Sequence, residues 1–311
     1  MYKRILYQFV ILLGLVVLVS PLAQAQSLGF SPVAIAGFGD PHNSYAWSMA
    51  WFKGKLYVGT NRDLLALKAF EGLPLPFSPW PVTIPPSIFV PDMDLRAQIW
   101  CYTPETSIWE MVYQPPVITV DTPQGEEQIA RDTGYRGMTV FKERDGTEAL
   151  YITTSMAAGV GALILRTTDG RTFDVVSVPG LIPGLPEGDI TSIRSLKEFK
   201  GKLYTTPVGS KGSGNLTEVR TIFESEDPAR GIWRPVSEPG FGDNWNLSIF
   251  EIATFNGYLY AGTLNPETGF QIWKTDATGE RPYTWTRVIR FGAERGPLNE
   301  SALSMQVFNG Y

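Results

Sequence analysis

The sequence predicts an all-β protein built from one repeated four-stranded antiparallel unit, and three observations carry that prediction. First, the stretch Leu247–Gly292 divides into four short apolar or alternating runs. They are Leu247–Phe255, Tyr258–Thr263, Phe270–Asp276 and Thr284–Ile289, each bounded by Gly, Asn, Asp or Pro. Second, a block of the same kind recurs about every fifty residues, the period expected of a propeller blade. Third, the composition is rich in Gly (31), Pro (24) and aromatic residues (13%) but only 18% charged, as tight turns and packed sheets require.

The opening 1–25 stands apart from the repeats. Lys3 and Arg4 precede the apolar run Ile5–Val19, and Ala23-Gln24-Ala25 follows. A basic start, a short apolar centre and a small-x-small site predict an export signal peptide cut after Ala25. The run is too short for a comfortable membrane span, so no stable membrane insertion is expected after cleavage. The destination is the periplasm, the extracellular space or the cell surface.

The propeller then occupies 26–311. A lone fourth strand is expected at 31–39, because Val33–Asp40 resembles the close of later copies, Val236–Asp243 and Val288–Gly292. Blades follow at about 46–114, 135–179, 190–238 and 247–291. First strands carry Met49 and Phe52, Met138 and Phe141, Leu196 and Phe199, Ile252 and Phe255. Turns at Lys53-Gly54, Asp145-Gly146, Lys200-Gly201 and Asn256-Gly257 lead into second strands that share Leu-Tyr. Fourth strands begin at Trp109, Phe173, Trp233 and Trp285, large rings suited to packing blade on blade. Residues 300–311 match Leu247–Tyr258 and stop inside a repeat. The expectation is a piece of a longer propeller, the other reading being a ring that closes imperfectly at five blades.

Two insertions interrupt the rhythm: the Pro-rich 61–96, and 115–134, which joins blade one to blade two. In an up-and-down meander both emerge on one face, where long loops are binding loops or padding.

The turn between third and fourth strands has a signature of its own. It is Thr167-Thr-Asp169-Gly170-Arg-Thr172-Phe173 in the second copy, with degenerate forms around Glu105, Asp227 and Asp276. This resembles the Asp-box (BNR-type) repeat of sialidase-like and sortilin-like propellers, and more weakly the kelch repeat, although no Gly-Gly doublet occurs. The resemblance implies a fold element, not an activity.

Candidate chemistry is sparse. His42 is the only histidine and Cys101 the only cysteine, so neither a disulfide nor a His/Cys zinc site is available within the chain. No cofactor is called for. The net charge of −5, or −7 once Lys3 and Arg4 are removed, argues against a nucleic-acid partner. Asp40, Asn43, Asp243 and Asn246 recur in Gly-Phe-Gly-Asp turns, where oxygen-rich side chains could bind Ca²⁺ or simply tie the turn. Aligning the first strands places Trp47, Arg136, Arg194, Phe250 and Leu303 at one position, and Ser48, Gly137, Ser195, Glu251 and Ser304 at the next. First strands line the central channel, so Arg136, Arg194 and Arg62, with Glu251, are the candidate ligand-binding residues. The expected function is a non-catalytic binding or scaffold propeller recognising a glycan or protein partner on the insertion-bearing face. The alternative, implied by the sialidase resemblance, is a glycan hydrolase that holds an acidic sugar through Arg62, Arg136 and Arg194. No catalytic constellation can be recognised, since the Arg-Ile-Pro element is missing and a Tyr/Glu pair cannot be placed.

Overall fold

The computed structural model describes residues 31–34, 36–40, 42–62, 94–123, 125–155, 160–185, 189–209 and 215–310. The expected signal peptide and nearly all of the first insertion lie outside these residues. From residue 36 onward the described residues form one compact unit.

That unit is a β-propeller of four-stranded antiparallel blades. Blade 1 is β1 (Asn43–Phe52), β2 (Lys55–Arg62), β3 (Ile99–Thr103) and β4 (Ile108–Tyr113). A two-stranded hairpin follows, β5 (Val117–Thr122) and β6 (Gly125–Ala130). Blade 2 is β7 (Gly134–Lys142), β8 (Glu148–Ser155), β9 (Ile164–Thr167) and β10 (Asp174–Val175). Blade 3 is β11 (Ser192–Phe199), β12 (Lys202–Val208), β13 (Phe223–Ser225) and β14 (Arg234–Pro235). Blade 4 is β15 (Ser248–Phe255), β16 (Tyr258–Leu264), β17 (Ile272–Thr275) and β18 (Thr286–Ile289). Within each blade consecutive strands pair antiparallel. In three blades a tight turn sets the first hairpin: Lys53-Gly54, Lys200-Gly201 and Asn256-Gly257 all have positive φ, the mirror-image geometry that matches strand twist.

The blades pack face to face, and each interface has its own apolar core. Phe52, Tyr57, Ile99 and Cys101 of blade 1 meet Met138, Leu150, Ile152 and Leu165 of blade 2. Phe141, Tyr151 and Ile164 meet Ile193, Leu196, Leu203 and Phe223 of blade 3. Phe199, Tyr204, Ile222 and Val236 meet Ile249, Ile252, Leu259 and Tyr283 of blade 4. Each large apolar side chain so buried contributes roughly 1.5–3 kcal/mol. These interfaces, rather than any single sheet, hold the fold together.

Repeated polar latches reinforce them on the face of the β1–β2 and β3–β4 turns. Lys53 Nζ donates to the Thr168 carbonyl of the next blade at 2.6 Å, and Lys200 Nζ to the Asp276 carbonyl at 2.8 Å. Arg144 at the equivalent turn of blade 2 ion-pairs with Glu226 of blade 3. Within the blade-2 turn, Asp169 Oδ1 accepts from the backbone N–H groups of Arg171 and Thr172 at 2.7 and 2.8 Å. Those bonds hold the Asp169 carboxyl far below the usual carboxylate range.

Three observations differ from the expectation. Residues 36–39 are a turn rather than the end of a strand, because Gly37 and Phe38 sit in the left-handed region. Phe38 stacks on Trp100 at 5.0 Å, as Phe241 stacks on Trp273 at 4.8 Å in blade 4. The second insertion is not an irregular loop but the β5–β6 hairpin. Residues 300–310 contain no extended strand; Ser301 makes a single bridge to Leu264. That bridge repeats the way Gly134 meets Asn61 and Ser192 meets Ser155 at the start of blades 2 and 3.

Candidate functional site

The first strand of every blade carries a register shift at one equivalent place, and β1 carries a second one between Asn43 and Tyr45. Pairing passes from Ala46 to Ser48, from Tyr135 to Gly137, from Ile193 to Ser195 and from Ile249 to Glu251. The residue left over in each bulge is Trp47, Arg136, Arg194 or Phe250. A bulge leaves its extra residue outside the ladder and re-aims its side chain. Four bulges at equivalent positions therefore place one unpaired side chain per blade near the start of the first strands.

These four side chains form a row. The Arg136 guanidinium lies over the Trp47 ring, 4.7 Å from its centroid, and the Arg194 guanidinium lies over Phe250 at 4.2 Å. Asn215, from the loop after β12, joins the two halves. Its Oδ1 accepts from Arg136 Nη2 at 3.2 Å and from Arg194 Nη1 at 3.5 Å. Arg136 Nη1 also donates to Ser192 Oγ at 3.1 Å, and Arg194 Nε to the Phe250 carbonyl at 2.7 Å. The rings act as buttresses, fixing two cations from neighbouring blades with their forks toward one acceptor.

Small residues just beyond the bulges allow the first strands to approach. Ser48 Oγ donates to the Tyr135 carbonyl at 2.8 Å, and Ser195 Oγ to Glu251 Oε1 at 2.7 Å. Glu251 Oε1 also accepts from the Ile252 N–H at 3.1 Å. Burial raises the pKa of Glu251 against the opposing effect of Ser195. Burial likewise lowers that of Arg194, with Glu251 pulling the other way. Among the described residues no carboxylate stands within ion-pair distance of Arg194. Its charge is desolvated without a direct counter-ion, a state that favours an incoming anion.

Arg62 belongs to a different constellation. It is buried (3% exposed), ion-paired with Asp40, and its Nε donates to the Asp94 carbonyl at 3.0 Å. It makes no bond to the arginine row. Asn43 alongside donates to the Gly37 carbonyl at 2.9 Å and to Gln98 Oε1 at 2.8 Å. The equivalent residues of blade 4 repeat the arrangement. Asn246 donates to the Gly240 carbonyl at 2.9 Å and to Gln271 Oε1 at 3.1 Å, while Asp243 Oδ2 accepts from Gln271 Nε2 at 2.7 Å. In both blades the same glutamine also accepts from a tryptophan, Trp100 or Trp273, at 2.9 Å. Asn43, Asp243 and Asn246 thus spend their polar atoms on holding the left-handed turn and the third strand, and Asp40 spends its own on the His42 N–H and on Arg62 at the end of β2. Among the described residues no three His, Cys, Asp or Glu side chains gather as a metal site would need.

Asn215 was not among the residues expected from the sequence. It follows the Gly/Ser-rich stretch Gly209–Gly214, which has no periodicity to place it. The bulges were equally hidden, because they depend on how the partner strand is counted.

No protein-family model matches the chain, and no curated protein does. Solved structures with a similar course include a glycoside hydrolase family 43 arabinoxylan arabinofuranohydrolase from Bacillus subtilis, at 10% identity and TM-score 0.41 over 79% of this chain. A Trypanosoma rangeli sialidase matches at 11% and 0.40 over 79%, and a Mycobacterium tuberculosis puromycin-hydrolysing peptidase at 11% and 0.44 over 84%. The chain spans 52%, 37% and 34% of those three structures respectively, about half their length or less. Similarity at this level is one of chain course and carries no weight for activity.

Proposed function

We propose that this chain is an exported, non-catalytic binding propeller whose insertion-bearing face recognises a glycan, or a protein partner, through an acidic group. The acid is taken by Arg136 and Arg194. One observation carries the reading: two buttressed guanidiniums from adjacent blades converge on the side-chain oxygen of Asn215. An acceptor already held between two forks marks the position that a carboxylate or sulfate oxygen would take with greater charge. The row lies at the end of the first strands from which the β5–β6 hairpin and the loop carrying Asn215 emerge, so the insertions would flank the ligand. Export rests on residues 1–25. No helix among the described residues is long and apolar enough to cross a membrane. The Asp-box resemblance fits the opposite face, where Asp169 ties its turn.

Glu251 gives a second reading, a sialidase-like hydrolase. Its carboxyl is raised by burial, and it follows Phe250, the residue against which Arg194 rests. In that reading Glu251 supplies a proton near an acidic sugar held by the arginines. A glycan array run beside a fluorogenic glycoside assay separates the two. Binding of acidic but not neutral glycans, lost in R136A/R194A and without turnover, supports the binding module. Turnover abolished by E251Q supports the hydrolase, and no signal in either assay sinks both glycan readings.

A further inference from the structure

On the opposite face, a concavity of about 140 Å³ lies where blades 2, 3 and 4 meet, and its lining includes Arg144, Arg230, Arg234 and Arg281. Four guanidiniums at one hollow are unexpected in a chain whose net charge is −5. The carboxylates present do not neutralise them all. Glu224 is buried (1% exposed) and fully engaged: it accepts from Tyr283 Oη at 2.7 Å and Lys202 Nζ at 3.1 Å, and it ion-pairs with Arg281. Burial works against its ionisation, but the bonds from Tyr283, Arg281 and Lys202 outweigh it and hold the carboxyl below its usual range. Glu226 is shared among Arg144, Lys202 and Arg281. The guanidiniums of Arg230 and Arg234 have no hydrogen-bond or ion-pair partner among the described residues. The third acid of the lining, Asp227, makes no ion pair there either. With Lys202 included, five cations face three carboxylates.

We infer that this hollow is a second anion site, distinct from the arginine row, and that it takes a compact oxyanion of the sulfate or phosphate type. Three considerations select that chemistry. The volume suits one tetrahedral group and little more. Arginine forks pair with tetrahedral oxyanions through two parallel N–H···O bonds each. The site draws on three blades, so an anion there would also bridge the Arg144–Glu226 latch and the Arg281–Glu224 pair.

The oxyanion is either free or an ester on a larger ligand, and titration distinguishes the two. Calorimetry of the full chain with sodium sulfate and with sodium phosphate, in chloride buffer, tests the free ion. A sulfated oligosaccharide and its desulfated counterpart test the ester. The expected result is a saturable binding event that is lost or weakened at least tenfold in R230A/R234A and kept within twofold in R136A/R194A, any event at the arginine row showing the opposite pattern. Both substituted residues are exposed, so the double variant should keep the wild-type unfolding midpoint in chloride. A tighter response to the sulfated oligosaccharide than to inorganic sulfate assigns the ester. Binding that R230A/R234A does not change, or no saturable binding by any of the four probes, overturns the inference. Because the two arginine pairs are substituted separately, failure here leaves the first-strand row untouched, and the reverse.

Discussion

Arg136 and Arg194 occupy the same bulge position in successive blades, and both donate to Oδ1 of Asn215. The repeat alone would have produced four equivalent side chains. The chain instead alternates aromatic, arginine, arginine, aromatic, so that each cation rests on a ring contributed by the blade on its outer side.

Charge at this pair should govern ligand binding. R136A and R194A are each expected to weaken binding of an acidic glycan by about tenfold or more, since a charge-assisted bond is worth about 1.5–3 kcal/mol. Raising the salt concentration should weaken the wild type more than the double variant. N215A should change affinity less than either arginine variant, because Asn215 carries no charge. Surface plasmon resonance at two ionic strengths measures all three.

Close approach at the blade 1–2 junction should be intolerant of added volume. A Cβ built on Gly134 would stand 2.4 Å from the Trp47 ring. G134A must therefore push the ring that supports Arg136, at an expected cost of about 1–3 kcal/mol. Urea unfolding gives the stability, and the same variant should bind acidic ligand more weakly than its residual fold predicts. An unchanged midpoint would show that the indole moves freely.

The glutamine of the left-handed turn should matter more than a single hydrogen bond suggests. Gln271 is buried and bonded to Asn246, Asp243 and Trp273. Q271L strands polar groups on all three neighbours and should cost about 2–4 kcal/mol, since each buried group left unsatisfied costs about 1–3 kcal/mol. Differential scanning calorimetry would report it as a lowered Tm.

Stability should fall as pH rises through the range where Asp132 ionises. Asp132 is buried (1% exposed) beside Arg131, and burial outweighs the arginine to push its carboxyl up to about 6. An unfolded aspartate titrates near 3.9, so between those values the native state holds a proton that the unfolded chain has lost. Linkage then lowers stability from about pH 4 to about pH 6, by about 3 kcal/mol at most, and leaves it level above. D132N lacks this dependence. The difference in unfolding free energy, wild type minus D132N, should decline across that interval; parallel curves would refute the assignment.

Much of the architecture was legible because a propeller blade writes itself locally. Leu-Tyr in the second strand, the Lys-Gly or Asn-Gly turn and the fourth-strand ring recur at nearly fixed spacing, and the paired strands fall on them. Alignment also brought Trp47, Arg136, Arg194 and Phe250 to one position from sequence alone. Their bulges could not be read, because an extra residue in a strand is visible only against its partner. Arg62 groups with the other arginines in the sequence because it closes a neighbouring second strand. Its tie to Asp40 spans the turn at Gly37–Asp40, which periodicity does not register. The β5–β6 hairpin did leave a signal in Val117-Ile-Thr-Val-Asp-Thr122, a run of strand formers hidden by the charge that follows it.

Among the described residues, the outer flank of blade 4 is more open than that of blade 3. Tyr204, Ile222 and Val236 of blade 3 are each 0% exposed. Their counterparts Tyr260, Ile272 and Val288 line an open trough of about 490 Å³ with Leu303 and Met305; Val288 is 43% exposed, while Ile272 stays buried. An open trough lined by apolar side chains offers an apolar dye a place to bind. Fluorescent apolar dyes should light up there.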